Sequence, residues 1–457
     1  MKNRFIGDRA FYKTVMTVAL PIILQNLITN FVILLDNFMV GRLGTEQMSG
    51  VSIANQIMLV VNLALFGALN GIGIYGAQFY GKGNTDGIRC SLRFKFYVGT
   101  AISAVAAAIL FFFKDGLIGL FLHDENASSA GQTLEFAAIY IVVMLAGLLP
   151  YALSQAFATT LRETGDTFMP MIASFAAVAI NAVGNFVLIF GKFCAPKLGV
   201  TGAAIATVVS RFAELFILLI YSCAKKDRFP YIRGLMKTLK IPREYLGGFF
   251  AKGLSLMGNE ILWSGSQTAM SIAYSLHGLD VVAAYSISST VINLFFIFCM
   301  SIGVAAGIII GNELGAGEHE KAILYSGRLI FFSLASCVVI STFMAIFGGK
   351  IPELYNTSDA SKVLAAYFIR VSSLFMPADA FCNNAYFTLR SGGKTLMTMV
   401  FDSGSLWLLS VPTAFLLFYV GHLGITTVYP IVVSLQLVKA LVGFFLLKSK
   451  IWVNTIV

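Results

Sequence analysis

Five acidic side chains lie within long apolar stretches of this 457-residue chain: Asp36, Glu214, Glu260, Asp379 and Asp402. A carboxylate in hydrocarbon costs about 2.5–3.5 kcal/mol on insertion scales, so residues of this kind usually pair, bind or carry an ion. A carboxylate supplies the oxygen ligands that a dehydrated Na⁺ needs, and a desolvated carboxyl group holds a proton near neutral pH. The residues therefore predict cation chemistry inside a membrane, with Na⁺ and H⁺ both open.

Glu260 and Asp379 are the strongest candidates for cation coupling. Glu260 lies about twelve residues into an apolar run, near the expected bilayer midplane. Asp379 follows Pro377 by two residues, and a proline removes one helical hydrogen bond and frees a backbone carbonyl. Asp36 lies near the end of the first run, close to Gly41, where structural and functional roles are equally open.

The other intramembrane polar residues receive weaker assignments. Glu214 follows Arg211 by three residues, so the two are predicted to pair on one helix as a structural element. Asp402, Arg370 and Lys439 receive no role. Buried amides usually bridge helices, but some line cavities. Four are candidates for lining a substrate cavity: Gln155, Asn181, Asn185 and Asn259.

The composition identifies the elements that must position these residues. Hydrophobic residues make up 58% of the chain, charged residues only 12%, and the mean hydropathy is +0.82. A soluble protein has about 25% charged residues, so the chain is predicted to be an all-α polytopic membrane protein, with helices because the backbone must satisfy itself in lipid. Twelve apolar runs reach the ~20 residues that a transmembrane helix needs. They are 14–40, 47–78, 92–113, 132–160, 168–191, 200–223, 248–276, 281–311, 328–347, 361–389, 396–419 and 423–447.

The distribution of basic residues predicts the orientation. With the N-terminus inside, the cytoplasmic segments carry 22 lysines and arginines and the opposite loops carry six. This is the positive-inside pattern, so both termini are predicted to be cytoplasmic and the protein to reside in a plasma membrane of the bacterial inner-membrane type. Topology rather than a nucleic acid partner accounts for the net charge of +10.

An internal repeat predicts two lobes. The basic linker 224–247 separates a six-helix lobe at 1–223 from another at 248–457. An offset of 234 residues aligns Gly44 with Gly278, and an offset of 228 gives seven identities in the twelve columns from Thr160. Six spans per half make the repeats parallel, related by a pseudo-two-fold axis along the membrane normal. Secondary transporters built from repeats bind substrate near the midplane and expose it to each side alternately.

The sequence lacks the residues that nucleotide binding, metal binding and enzymatic catalysis need. The segment 391–395 looks faintly like a phosphate-binding loop, but Thr388 stands where its first glycine belongs, so no nucleotide is expected. The six cysteines contain no C-x-x-C pair, and His123, His277, His319 and His422 are not clustered. No resident metal, cofactor or enzymatic activity is therefore expected.

Several segments together resemble the multidrug and toxin extrusion (MATE) family, and the likeness covers essentially the whole chain. They are 19–25, 35–44, 50–54, 81–83, 161–167, 198–207 and 315–317. The resemblance implies a two-lobed exporter of cationic, lipophilic compounds driven by inward Na⁺ or H⁺. Asp36, Glu260 and Asp379 match positions where acids support coupling in the NorM-like branch.

One departure from the family pattern bears on the coupling site. Another branch carries its coupling carboxylates in the N-terminal lobe, including one in the fifth span, where this chain has Asn181 and Asn185. The departure favours coupling through the C-terminal lobe. The predicted function is secondary active multidrug efflux by alternating access, with small organic cations as partners, the bilayer as environment and no indicated protein partner.

The alternative function is a flippase of lipid-linked oligosaccharides from the same wider superfamily. Flippases of this kind often carry two more spans and a more basic cavity, whereas the midplane charges here are largely acidic. A carrier of the major-facilitator type would show a charged Gly-x-x-x-Asp-Arg loop after its second span, and the segment 81–87 lacks this motif. The compounds transported, the ion stoichiometry and the oligomeric state stay open.

Overall fold

Helices form every regular element that is described in the computed structural model of the protein. The structure describes residues 5–121, 127–193, 195–238 and 240–457. The hydrocarbon core of a bilayer contains no water to which backbone groups could bond. Long apolar segments therefore form helices, in which each backbone N–H and C=O is satisfied within the segment.

The first half of the chain contains seven of the described helices. They are α1 (Arg9–Gly41), α2 (Thr45–Gly81), α3 (Thr85–Gly119), α4 (Ala127–Leu145), α5 (Leu148–Glu163), α6 (Phe168–Phe190) and α7 (Gly199–Ala224). A short 3₁₀ turn, Pro230–Ile232, follows in the linker.

The second half contains six long helices within the described residues. They are α8 (Arg243–Ser275), α9 (Leu279–Gly315), α10 (His319–Phe347), α11 (Asp359–Ser391), α12 (Thr395–Tyr419) and α13 (Ile425–Lys448). A 3₁₀ segment, Gly348–Leu354, follows α10.

Each of the twelve predicted spans coincides with a described helix or with the pair α4 and α5. Ten described helices are long and apolar enough to cross a membrane, and the pair forms an eleventh candidate that is bent by 52° at residues 146–147. Helix α8 is not among the ten because residues such as Lys252, Asn259, Glu260 and Gln267 dilute its apolar character. The all-helical, polytopic architecture predicted from composition is confirmed.

Matched helix bounds support the predicted repeat. Helices α1 and α8 both have 33 residues, α2 and α9 both have 37, and each pair begins 234 residues apart. The turns agree as well: Gly83 and Gly317 have φ values of 74° and 78°, and Gly165 and Gly393 have 85° and 76°. Glycine adopts this left-handed region without the steric cost that a side chain brings.

The two halves differ in the helices that carry several of the candidate residues. The fourth span of the first half breaks between α4 and α5, whereas its counterpart α11 runs unbroken through Pro377. Helix α12 contains π-helical turns at Val400–Gly404 and Leu406–Ser410. A π turn inserts an extra residue and redirects the side chains around it, and such turns are frequent at functional sites.

Contacts divide the chain into two compact units. The first unit comprises Met1–Ile23, Ala77–Gly83 and Gly258–Val457, and α11 packs there against α9, α10 and α13. The second unit comprises Leu24–Gly76 and Asn84–Met257, where α6 packs against α7 and α3 against α5. The lobe boundaries 1–223 and 248–457, with the linker 224–247, stay a prediction.

Within the first unit, the end of α2 crosses α9 through glycines. A side chain at Gly81 would collide with the carbonyl group of Asn312, and a side chain at Gly315 would collide with that of Gln78. These contacts are equivalent, because residues 78 and 81 align with residues 312 and 315 in the repeat. Such reciprocity is the mark of a two-fold contact, in which each partner presents the same surface.

Replacing Gly315 by alanine is expected to destabilise the protein by about 1–3 kcal/mol, the usual cost of overpacking, because the backbones of α2 and α9 would have to separate. Thermal unfolding of the detergent-solubilised protein measures the effect. Gly116→Ala is the control, since Gly116 lies in α3 with open space around its Cα. Equal unfolding temperatures for the two variants would show that the crossing is not tightly packed.

Candidate functional site

An ion pair lies inside the helical part of the first unit. The Lys439 ammonium group on α13 donates a hydrogen bond of 2.7 Å to Oδ1 of Asp402 on α12. The two side chains are only 10% and 20% exposed, respectively. A buried charge is tolerated when it is paired and hydrogen-bonded. Asp402 and Lys439 therefore compensate each other's charge.

Asn259 links this pair to α8. Its Nδ2 donates to Oδ2 of Asp402 at 3.2 Å and to the Tyr386 hydroxyl at 3.4 Å. The Ser403 hydroxyl donates in turn to the side-chain oxygen of Asn259 at 2.7 Å. Asp402 and Ser403, which are adjacent in a π-helical turn of α12, therefore both contact the side-chain amide of Asn259. The Asn259 side chain, only 1% exposed, is engaged in helix packing.

Glu260 and Asp379 join this network through electrostatic interactions. Glu260 follows Asn259 on α8 and interacts electrostatically with Asp402 and with Arg390. Asp379, on α11, interacts electrostatically with Lys439. We call these five charged residues, Glu260, Asp379, Asp402, Arg390 and Lys439, the charge network. With all five ionised, three carboxylates face two basic groups, which leaves one negative charge in excess.

Asp36 belongs to a separate hydrogen-bonded chain in the second unit. Asn185 Nδ2 donates to Oδ1 of Asp36 at 2.6 Å and to the side-chain oxygen of Asn181 at 3.2 Å, and Asn181 donates to the Thr207 hydroxyl at 3.1 Å. Both asparagines are buried. The chain joins α1, α6 and α7 and gathers carboxylate, amide and hydroxyl oxygens around one acid. Sequence reasoning named three of these four residues but did not predict that they touch.

Arg211 and Glu214 do not form the predicted ion pair, although their charges interact electrostatically. Glu214 accepts hydrogen bonds from the hydroxyls of Ser174 at 2.8 Å and Ser154 at 3.4 Å. The Arg211 guanidinium donates to the carbonyl of Gly147 at 3.3 Å and lies 4.7 Å from the ring centroid of Tyr151. The Gly147 carbonyl, at the break between α4 and α5, also accepts the first helical hydrogen bond of α5 from the Tyr151 N–H at 3.2 Å, so the helix and the guanidinium share it.

A second ion pair, also missed from sequence, is more deeply buried. The Lys95 ammonium group on α3, which is fully buried, donates to both carboxylate oxygens of Glu163 on α5 at 2.7 and 2.8 Å. It also reaches the hydroxyls of Thr159 and Thr160. Lys95 is one of the 22 basic residues that the charge pattern assigns to cytoplasmic segments. Only the packing of α3 against α5 distinguishes it from them.

The remaining candidates add little to either cluster. Gln155 is half-buried on α5. Among the residues that the structure describes, no group of three or more histidine, cysteine, aspartate or glutamate side chains could hold a metal ion. His123 and Cys194 lie outside the described residues. The missed pair of Asp402 and Lys439 did leave a signal, because the two residues are unlike charges in consecutive apolar runs.

The chain is a polytopic helical protein that buries acids in its candidate membrane spans, as secondary transporters do. The MatE family model matches residues 21–187 and again residues 255–416. The chain belongs to the MATE family. The two matches begin 234 residues apart, which is the repeat offset found in the sequence.

Relatives from distant bacteria match along most of the chain. It is 28% identical over 433 residues to a probable multidrug resistance protein, NorM, of Thermotoga maritima, covering 90% of this chain and 87% of that protein. It is 25% identical over 415 residues to the multidrug resistance protein PmpM of Pseudomonas aeruginosa, covering 90% and 85%.

Solved structures agree in fold. An outward-facing multidrug resistance MATE family transporter of the MOP superfamily superposes with a TM-score of 0.86 at 18% identity, covering 97% of this chain and 96% of that one. A MOP superfamily transporter from Pyrococcus furiosus, whose reversed pocket polarity suggests a different function, superposes with a TM-score of 0.84 at 19% identity and the same coverage. The predicted family and two-lobed fold are confirmed.

Proposed function

We propose that this protein exports cationic or lipophilic organic compounds in exchange for inward Na⁺ or H⁺. Glu260 and Asp379 serve as the principal coupling acids and Asp36 as a further acid. The orientation with both termini in the cytoplasm of a bacterial plasma membrane belongs to the same proposal.

The single excess carboxylate of the charge network carries this proposal. A charge in a low-dielectric site is costly unless it is compensated, and here three acids share two basic groups. One Na⁺ or one proton supplies the missing positive charge. A cationic compound supplies the same charge. The ion and the compound therefore compete for the one excess carboxylate, which cannot neutralise both. Competition of this kind is the basis of exchange between two substrates.

The relatives support the proposed substrate class. Proteins named for multidrug resistance match about nine-tenths of this chain. A transporter of the same fold is also known in which the polarity of the pocket is reversed and a different function is suggested, so the substrate must be argued from charge as well as from fold. The excess of acids over basic groups in the charge network favours cations as substrates.

The Asp36 chain has the chemistry for a second cation. Na⁺ prefers oxygen ligands, and Asp36, Asn181 and Thr207 offer a carboxylate, an amide and a hydroxyl oxygen within one hydrogen-bonded chain. Asn185 is engaged there as a donor to the carboxylate. The charge network remains our principal coupling site, because it combines three acids, one of which lies two residues after Pro377 in helix α11, whereas the Asp36 chain contains one acid.

The test is the efflux of a cationic dye from liposomes that contain the purified protein. A Na⁺ gradient and a proton gradient are imposed in separate experiments, with protein-free liposomes as the control. We expect at least one gradient to drive dye movement, and the effective gradient identifies the coupling ion. No movement under either gradient, with a folded protein confirmed by size-exclusion chromatography, would overturn the proposal and direct attention to lipid-linked substrates.

A further inference from the structure

A basic pocket lies in the second unit, away from the residues proposed to couple transport. The cavity has a volume of about 500 Å³ and forms between the first turns of α3 and the linker before α8. Its charged lining consists of Asp86, Arg89, Arg93, Arg233, Lys237 and Lys240. We call this cavity the linker pocket. Its volume is within the range of about 300–1,000 Å³ that small-molecule sites occupy.

Arg93 organises the wall of the linker pocket. Its guanidinium donates to the backbone carbonyls of Leu235 at 2.7 Å, Gly234 at 2.9 Å and Lys240 at 3.5 Å. Arg89 similarly donates to the carbonyls of Tyr231 at 3.1 Å and Pro230 at 3.3 Å. The linker is therefore folded against α3 rather than acting as a spacer. A guanidinium has five N–H donors, so both arginines retain donors beyond those used on carbonyls.

The pocket has a strong excess of positive charge. Five basic side chains line it against one carboxylate, that of Asp86, which is paired with Arg89. Arg233 is paired with Asp227 on the exposed side of the linker. Lys237 and Lys240 are exposed, and neither forms an ion pair with a described residue. Basic pockets of this kind, on the cytoplasmic side of membrane helices, are suited to anionic headgroups.

Exposed apolar side chains border the pocket and indicate where the ligand comes from. Met236 directly precedes the pocket residue Lys237 and is 72% exposed. On α8, which begins directly after Pro242 of the pocket lining, Phe250 is 59% and Leu254 is 64% exposed on one face. Because Phe250 and Leu254 belong to the predicted span 248–276, bilayer lipids are expected beside this face, and a phosphate group attached to acyl chains can contact both surfaces.

We propose that the linker pocket binds the phosphate headgroup of an anionic membrane lipid, with Lys237 and Lys240 as the principal ligands and Arg89 and Arg93 as the supporting charges. The acyl chains lie along the apolar face of α8 that contains Phe250. The site ties the linker between the two repeats to the membrane surface that is predicted to be cytoplasmic.

The test is native mass spectrometry of the full-length protein in detergent, titrated with dioleoyl phosphatidylglycerol and, separately, with dioleoyl phosphatidylcholine. The pocket variant is Lys237→Gln with Lys240→Gln. The matched control is Lys225→Gln with Lys226→Gln, which removes two exposed charges from the same linker outside the pocket. Each lysine near a headgroup contributes about fivefold in affinity, so we expect about 30-fold weaker phosphatidylglycerol binding in the pocket variant only.

Other results would overturn the proposal. Equal weakening in both variants would indicate general surface attraction rather than a site, and no weakening in either would remove the pocket. A further titration uses sn-glycerol 3-phosphate, which carries the phosphate without the acyl chains. If it displaces phosphatidylglycerol at equal concentration, the pocket recognises soluble phosphate esters instead of lipid. Dye efflux plays no part in these measurements, so they stand whether or not the proposed transport function holds.

Discussion

Glu260→Gln and Asp379→Asn are each expected to reduce gradient-driven dye efflux at least tenfold while leaving the protein folded. Each change preserves the side-chain shape but removes one carboxylate charge. The charge network then has two carboxylates and two basic groups, so the excess negative charge that requires a cation disappears. At an effective dielectric constant of about 20, two unit charges roughly 8 Å apart interact by about 2 kcal/mol, or some 30-fold in affinity.

The matched control is Glu313→Gln, an acid of the first unit outside the charge network. Glu313 on α9 pairs at 3.0 Å with Lys321, whose side chain is 45% exposed, so the pair contributes little. We expect this variant to keep the efflux of the unmodified protein. Efflux is measured in liposomes under the effective gradient, and unfolding temperatures are measured alongside. Full efflux in both Glu260→Gln and Asp379→Asn would remove these acids from the coupling mechanism.

Asp36→Asn distinguishes the two candidate clusters. If this change abolishes efflux while Glu260→Gln and Asp379→Asn retain it, the coupling ion binds at the chain formed with Asn181 and Asn185. That outcome would reverse the expectation that these asparagines shift coupling to the C-terminal half. The family resemblance alone does not decide the matter, because it marks acids in both halves as relevant.

The sequence was sufficient for the fold because membrane helices are specified locally. Roughly 20 apolar residues require a helix whatever surrounds them, and glycines such as Gly83 and Gly317 mark the turns in both repeats. The bend at residues 146–147 and the π-helical turns of α12 were not predicted. The π-helical turns coincide with contacts that Ser403 and Asp402 make with Asn259, 143 and 144 residues earlier in the chain, and local sequence does not specify such contacts.

The candidate acids could be found from sequence, but their partners could not. The free-energy cost of placing a carboxylate in lipid is enough to single out Glu260 and Asp379, because such residues usually pair, bind or carry an ion. Pairing depends on which helix faces are neighbours. The nearest opposite charge along the chain misled for Glu214, and the true partner of Asp402 lies 37 residues away on α13. Local spacing therefore locates intramembrane charges without assigning their ion pairs.

Asp402→Asn is expected to destabilise the protein by about 3–5 kcal/mol, because it leaves the Lys439 ammonium group buried without its carboxylate. Adding Lys439→Met should recover most of that loss, since removing both partners of a buried ion pair is often neutral or stabilising. Unfolding temperatures of the two variants and the unmodified protein measure the effect. A double variant as unstable as Asp402→Asn alone would mean that the two residues do not compensate each other.

The same variants separate charge balance from direct participation in transport. Asp402→Asn leaves Glu260 and Asp379 opposite Lys439 and Arg390, so the excess negative charge is lost and efflux should fail. The double variant Asp402→Asn with Lys439→Met restores an excess of one, since two carboxylates then face Arg390 alone, and its coupled efflux should return. A double variant that is stable but does not couple would show that Asp402 and Lys439 take part in transport themselves. The excess charge would then no longer explain why this network requires a cation.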